Sequence, residues 1–234
     1  MTDVSLVITS CGRLDLLERT IASFDAHNTY PVARSILVED SNDRDVYARV
    51  EQDFGHLFDR ILYNDPKLGQ IASIDKAYAE VDTPYIFHCE DDWAFFRSGF
   101  IEDSLAVLAE DEHIITVWLR DLWDTNRHRI ERPIRHTRSG VMFRDVAVED
   151  DKQWHGFTFN PGLRRLADYE RVKPFADIGH EYEINVRYWE LGYYAAILEQ
   201  GATEHLGKRR SERKKELAGK TRLKHRLKRL VGRR

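Results

Sequence analysis

The sequence is poor in cysteine and has no long hydrophobic run. Cys11 and Cys89 are the only cysteines among 234 residues, and their spacing suits no zinc site. A strand-like run directly follows Met1 with no signal peptide, so we expect a reducing, cytoplasmic setting and two free, buried thiols. No apolar stretch approaches the roughly 20 residues that span a bilayer, which leaves peripheral membrane contact at most.

Acidic residues are scarce at the end of the chain and outnumber basic residues before it, although the formal net charge is only −4. Residues 208–234 hold 14 Lys and Arg against two Glu, whereas residues 1–207 hold 22 basic and 38 acidic residues. The basic tail has Leu223, Leu227 and Leu230 at helical spacing, which predicts an amphipathic segment on anionic lipid; a solvated tail is the alternative. Because residues 1–207 are acidic and offer no basic surface next to the tail, we expect no nucleic-acid partner.

The chain does contain a regular alternation of strand-like and helical patterns. The predicted strands are residues 4–9, 35–38, 60–63, 85–89, 114–119 and 194–198. Helical apolar stripes separate most of them. This order predicts an α/β fold with a mostly parallel central sheet flanked by helices, and residues 120–165 are predicted to be short strands and loops over the substrate side.

Polar turns follow three of the predicted strands directly, at residues 10–13, 39–43 and 90–92. Ligands of parallel sheets bind beyond the carboxyl ends of the strands, where such turns gather. The first half of the chain is therefore predicted to converge on one site.

The third turn, Glu90-Asp91-Asp92, places three carboxylates side by side after a buried strand. Their repulsion needs compensation by a cation or a basic group. Mn²⁺ or Mg²⁺ suits carboxylate oxygens and commonly bridges to nucleotide phosphates, although acidic runs on solvated turns are also common.

These features together resemble the family 2 glycosyltransferases with the GT-A fold. The resemblance lies in VSLVITSCGRLDLLERTIASF, ILVEDSND, LGQIASIDKAYAEV, IFHCEDDW and HEYEINVRYWELGYY. It covers residues 3–110 and resumes at 180–194. It implies a catalytic domain at 1–207, with a nucleotide-sugar half at 1–110 and an acceptor half at 111–207, followed by the tail.

The resemblance also implies a nucleotide pocket. Its members would be Thr9, Ser10 and Arg13 from the first turn, Asp40 with Glu39 at the base or ribose, and Gly69 and Lys76 at the following helix. Asp40 as a turn-forming residue and Lys76 as an exposed helix residue are the alternatives.

The same resemblance assigns the chemistry. Asp91 or Asp92 would bind the metal, with Glu90 assisting or facing the ribose, and His205 would reach the metal or the diphosphate. Glu181 matches the general base of inverting members, unless Glu181 and Glu183 are only first-turn helix charges. Trp154 and His155 match an acceptor-side loop in which aromatic rings stack on sugars; core packing is the alternative.

The sequence thus predicts a metal-dependent, inverting glycosyltransferase that moves a sugar from a nucleotide-diphosphate donor to a glycan or lipid-linked acceptor. UDP is the nucleotide most expected, with GDP and dTDP open, and retention remains an alternative. A sugar nucleotidyltransferase is disfavoured because no Gly-rich, basic loop follows the first strand. A non-catalytic sugar- or nucleotide-binding module is the third interpretation.

Overall fold

The computed structural model describes residues 3–148 and 154–207, and a parallel sheet organises their first half. This sheet has the order β3-β2-β1-β4-β9. Its strands are β1 (Val4–Ser10), β2 (Arg34–Glu39), β3 (Arg60–Tyr63), β4 (Tyr85–Glu90) and β9 (Gly162–Arg165). The first four are parallel, and β9 runs antiparallel at the edge beside β4. The predicted mostly parallel α/β fold is confirmed.

Helices cover both faces of this sheet, so its central strands are buried on both sides rather than on alternate residues. Every residue of β1 is buried. One face packs on α1 (Leu14–His27) through Phe24, and the other packs on α3 (Gln70–Tyr78) through Tyr78. Burial on both sides fixes the register, which brings the carboxyl ends of the strands to a common edge.

A second sheet of four strands lies in the later half, in the order β6-β10-β8-β7. It comprises β6 (Ile114–Trp118), β7 (Arg135–His136), β8 (Met142–Asp145) and β10 (Tyr194–Leu198), and α4 (Phe100–Leu108) precedes it. The strand predicted at 114–119 therefore pairs in parallel with β10 and not with the first sheet. Three short helices complete this half: α5 (Leu166–Glu170), α6 (Phe175–Ile178) and α7 (Glu181–Glu190).

Two strands of three residues form a small ladder that the sequence does not predict. β5 (Trp93–Phe95) pairs antiparallel with β11 (Thr203–His205), and His205 lies opposite Trp93. Arg120 in turn forms a bridge with Thr203. This ladder carries distant parts of the chain to the end of β4.

The short helices α5 and α6 are also absent from the predicted elements, and so is α2 (Arg44–Phe54), because only Val50 and Phe54 are buried on it. Its start is nevertheless signalled by Asp43, whose side chain accepts hydrogen bonds from Asp45 N and Val46 N. Across the ranges described here, no helix is both long and apolar enough to cross a membrane. The predicted amphipathic tail lies outside those ranges.

Candidate active site

A cavity of about 810 Å³ opens at the carboxyl ends of β1, β2 and β4. The three polar turns meet there. Predicted site residues in its wall are Thr9, Ser10, Arg13, Asp40, Gly69, Glu90, Asp91, Asp92, Glu181 and His205. The two halves of the chain thus face one another across a space large enough for a nucleotide sugar.

Arg13 neutralises much of the acidic cluster, defined here as Glu90, Asp91 and Asp92. Its guanidinium pairs with Asp91 through Nη2 and with Asp92 Oδ2 through Nη1, the latter at 2.6 Å. Ser10 Oγ and Cys11 N also donate to Asp91 Oδ2, at 3.2 and 3.3 Å. Both Asp91 oxygens are consequently satisfied by the β1 turn, which ties the two strand ends together.

Burial dominates the protonation of the first two carboxylates. It raises the pKa of Asp91 to about 6, against the lowering effect of Arg13. Burial also raises the pKa of Glu90 to about 8, with further contributions from Asp92 and Glu181. Glu90 accepts from Gln70 Nε2 at 2.8 Å and Trp93 Nε1 at 3.3 Å, so it lies between the start of α3 and strand β5.

Asp92 has the opposite electrostatic balance. Burial pushes its pKa upward, but the hydrogen bond from His205 and the charge of Arg13 outweigh burial and leave the pKa below its usual value. His205 Nε2 lies 3.3 Å from Asp92 Oδ2, and the imidazole packs on Trp93 with ring centroids 4.8 Å apart. Asp92 is therefore the carboxylate of the cluster whose charged form its surroundings favour most.

Asp40 and Glu39 differ in placement although they are adjacent. Asp40 faces the cavity, where it accepts from Leu68 N at 2.7 Å, Gly69 N at 2.9 Å and Asn64 Nδ2 at 2.9 Å. Glu39 is fully buried outside the cavity wall, and its Oε1 accepts from the amides of the β1 and β2 turns. Asp40 thus remains placed for contact with a nucleoside, whereas Glu39 holds the turns together.

Three other predicted residues lie away from the cavity. Lys76 Nζ donates to Tyr63 O and Asn64 Oδ1, both at 2.8 Å, and so fastens α3 to the end of β3. His155 is buried and stacks on Trp189 at 4.4 Å, while Trp154 lies 5.6 Å from the His128 ring. These residues build the walls behind the site instead of lining it.

Glu181 begins α7 and reaches the cavity. Its Oε1 accepts from Thr158 Oγ1 at 2.8 Å and Phe159 N at 2.9 Å. Two donors on one oxygen fix the carboxylate's orientation, which leaves Oε2 as the oxygen suited to accept a proton. The helix also has the predicted first-turn charge, because Glu183 completes a capping box with His180.

Several cavity residues escaped the sequence reasoning, among them Lys67, Arg120, Asn126 and Asn160 as individual ligands. Arg120 lies just beyond the end of β6, and Lys67 lies in the loop after β3. Both residues therefore follow parallel strands, and that position is the sequence signal that marks Lys67 and Arg120 as candidate ligands.

Asp92 Oδ2 and His205 Nε2, 3.3 Å apart, are the two atoms that would serve as protein ligands of a divalent cation shared with a diphosphate. Ligand distances of about 2.1 Å at a cation place neighbouring ligand atoms roughly 3 Å apart, close to the spacing of Asp92 Oδ2 and His205 Nε2. Within residues 3–148 and 154–207, no group of three His, Cys, Asp or Glu could hold a metal alone. Phosphate oxygens and water would complete such a site, as is common for Mg²⁺.

The order of the first sheet, the cavity at its carboxyl edge and the acidic cluster after β4 are those expected of a GT-A fold. The chain belongs to glycosyl transferase family 2, whose model matches residues 5–172, over half of its length. No curated protein matches the chain in sequence.

Solved structures share this fold at low sequence identity. Mannosyltransferase PcManGT from Pyrobaculum calidifontis, in complex with GDP-Man and Mn²⁺, aligns with a TM-score of 0.62 and 14% identity over 89% of this chain and 58% of its own. GalNAc-T7 with UDP, GalNAc and Mn²⁺ gives 0.63 and 13% over 88% and 44%. S. aureus TarS 1-349 with UDP-GlcNAc gives 0.58 and 10% over 89% and 62%. The chain thus spans less than two thirds of each of these proteins.

Proposed function

We propose that the chain is a metal-dependent, inverting glycosyltransferase that uses a nucleotide-diphosphate sugar, with UDP-sugars first among the donors to test. The observation that carries this proposal is the meeting of the Asp92–His205 pair and Glu181 in one cavity of a family 2 chain. A cation-binding pair and a carboxylate of fixed orientation are the two groups that such a transfer requires.

The nucleoside end of the donor would lie against Asp40 and the loop at Leu68 and Gly69, which line one end of the cavity. The diphosphate would then reach Asp92 and His205. A Mn²⁺ or Mg²⁺ ion bound there supplies Lewis-acid stabilisation of the leaving diphosphate. The structural neighbours that carry Mn²⁺ and a nucleotide or nucleotide sugar support this arrangement.

The acceptor would enter between Glu181 and the anomeric carbon. Its hydroxyl oxygen forms the new bond to that carbon as the bond to the diphosphate breaks, and the hydroxyl proton passes to Glu181 Oε2. The nucleoside diphosphate leaves with the bonding electron pair. Attack from the side opposite the leaving group inverts the anomeric centre, and the fixing of Oε1 by Thr158 and Phe159 orients the base.

We further propose a glycan or lipid-linked acceptor, and a cytoplasmic enzyme held at the inner face of a membrane. The charge contrast between residues 1–207 and 208–234 supports the second point, because a basic segment is attracted to anionic lipid while the acidic body is repelled. Membership of a sugar-transfer family decides against the sugar nucleotidyltransferase alternative.

Release of nucleoside diphosphate from UDP-, GDP- and dTDP-sugars, with Mn²⁺ and with water as the fallback acceptor, tests the reaction. Glu181→Gln should lower kcat by about 100-fold or more, since general-base catalysis contributes roughly that factor, and should leave nucleotide binding intact. Glu190→Gln, an exposed position on the same helix, is the matched control. Turnover of no donor, or full activity in Glu181→Gln, contradicts the proposed mechanism.

A further inference from the structure

We propose that Arg120 binds the distal phosphate of the donor's diphosphate and stabilises it as the leaving group. This inference rests on the proposed function and adds a residue that neither the sequence motifs nor the family match assigns.

Arg120 has the burial and rigidity of a prepared anion ligand. Only 5% of the residue is exposed, yet it lines the cavity. Its guanidinium lies over the Trp93 ring at 4.5 Å from the centroid, and its backbone bridges to Thr203. Stacking on an aromatic face holds the planar group in one orientation, which a flexible surface arginine lacks.

The guanidinium is also incompletely satisfied. Its Nη1 contacts Asp124 O at 3.4 Å and Asp124 Oδ2 at 3.3 Å, which are long for charge-assisted hydrogen bonds. Its Nε is buried and has no hydrogen-bond partner in the described part of the chain. A buried donor without a partner costs free energy, so the Arg120 guanidinium is suited to bind an oxyanion that enters the cavity.

The position of Arg120 favours the distal phosphate over the rest of the donor. Arg120 lines the same cavity as Asp92 and His205, it packs on Trp93 as His205 does, and the charge of Asp92 acts on it. The nucleoside end lies on the far side, at Asp40 and Leu68. Arg13, the other arginine of the cavity wall, is engaged with Asp91 and Asp92. Arg120 is therefore the arginine available to the phosphate that leaves with the nucleotide.

Calorimetric titration separates this role from alternatives. In the presence of Mn²⁺, Arg120→Gln should bind UDP about 10- to 100-fold more weakly than the wild type, the range expected for a lost charge-assisted contact. Binding of UMP, which lacks the distal phosphate, should change less than about twofold by the same reasoning. The UDP affinity of Arg120→Lys should lie between those of the wild type and Arg120→Gln, because lysine keeps the charge but lacks the planar guanidinium. GDP with GMP, and dTDP with dTMP, serve in the same way if the wild type prefers those bases.

Arg97→Gln is the matched control, because Arg97 pairs with Asp103 at 2.8 Å outside this cavity. It should leave both affinities unchanged. Unaltered UDP binding by Arg120→Gln overturns the inference, and a raised acceptor KM in that case would assign Arg120 to an anionic acceptor instead. Equal losses for UDP and UMP overturn it as well, since they indicate a structural role. If the wild type binds no nucleotide at all, the proposed function fails and this inference fails with it.

Discussion

Asp91 and Asp92 occupy different surroundings although they are neighbours at the end of β4. Asp91 is fully buried and both of its oxygens accept hydrogen bonds from the β1 turn. Asp92 shares one oxygen between Arg13 and His205 at the cavity wall. We therefore propose that Asp91 holds the turns together and that Asp92 binds the cation; the sequence left both aspartates open as ligands.

This assignment predicts different costs for two alanine variants. Asp91→Ala should lower the free energy of unfolding by about 3 kcal/mol, because it removes the buried carboxylate that accepts from Ser10, Cys11 and Arg13 together. Asp92→Ala should cost about 1 kcal/mol, since Arg13 keeps Asp91 as a partner. Urea unfolding measures both, and the same midpoint for the two variants would refute the division of roles.

Glu90 should make stability depend on pH. Its folded pKa of about 8 is raised above the unfolded value by burial first and by Asp92 and Glu181 next. A raised carboxyl pKa means that the folded state holds the proton more tightly, so this stabilising contribution is present below about pH 4 and is lost as pH rises through about 8.

Glu90→Gln removes this titration. Relative to the wild type, the variant should gain stability steadily between pH 5 and pH 8.5, measured by urea unfolding with a chelator present. Glu190→Gln, on the exposed face of α7, should follow the wild-type curve. A constant difference between Glu90→Gln and wild type across that range would show that Glu90 is already ionised at pH 5.

At the scale of elements, the β5–β11 ladder brings Asp92 and His205 together. His205 lies opposite Trp93, which follows Asp92 directly, and Leu206 N donates to Asp92 O at 2.8 Å. Gly207 then passes so close that a Cβ atom would overlap the Asp92 carboxylate. Two short strands and one glycine thus set the position of the key carboxylate.

Gly207→Ala should therefore displace the Asp92 side chain and weaken Mn²⁺-dependent nucleotide binding by about 10-fold or more, a loss comparable to that of one charge-assisted contact. Nucleotide binding without metal should change little. Gly55→Ala is the control, because a Cβ there meets only the flexible Glu51 side chain. Wild-type metal dependence in Gly207→Ala would mean that Asp92 tolerates the shift or takes no part.

The elements also show what the sequence could and could not reveal. Residues 60–63 and 194–198 were predicted with the bounds that β3 and β10 have, because short apolar runs between turn residues carry a strong local pattern. Ser10, Asp40 and Asp92 were correctly predicted to converge, since the carboxyl ends of parallel strands share one edge of the sheet and only the strand ends have to be known. Three-residue strands and the antiparallel β9 carry no such pattern. The turning of Arg13 onto Asp91, and of Lys76 away from the cavity, depends on contacts between distant residues.

At the scale of the whole molecule, the two cysteines are free, as predicted, although β1, which precedes Cys11, pairs with β4, which contains Cys89. Cys89 is buried and Cys11 is partly exposed. At least 88% of the chain aligns with these solved structures, but it spans less than two thirds of each of them, so donor and acceptor specificity must be established on this protein.

The basic tail predicts salt-sensitive binding to anionic membranes. The full chain should sediment with vesicles that contain phosphatidylglycerol and should be released as salt rises, because attraction to each Lys or Arg is worth about 1 kcal/mol near such a surface. Replacing the Lys and Arg of residues 208–234 by Gln should abolish sedimentation and spare nucleotide binding. Equal binding to neutral vesicles would contradict an electrostatic role for the tail.

The central claim is that a nucleotide donor binds through a cation held by Asp92 and His205. Calorimetric titration with UDP, GDP and dTDP, each with and without Mn²⁺, tests it most directly when the wild type is compared with an Asp92→Asn, His205→Ala double variant. The control is Asp111→Asn, His113→Ala, a second Asp–His pair at 3.2 Å that lies outside the cavity. We predict Mn²⁺-dependent binding of one nucleotide by the wild type and the control, and its loss in the double variant. Binding that is indifferent to Mn²⁺, or unchanged in the double variant, would contradict the claim.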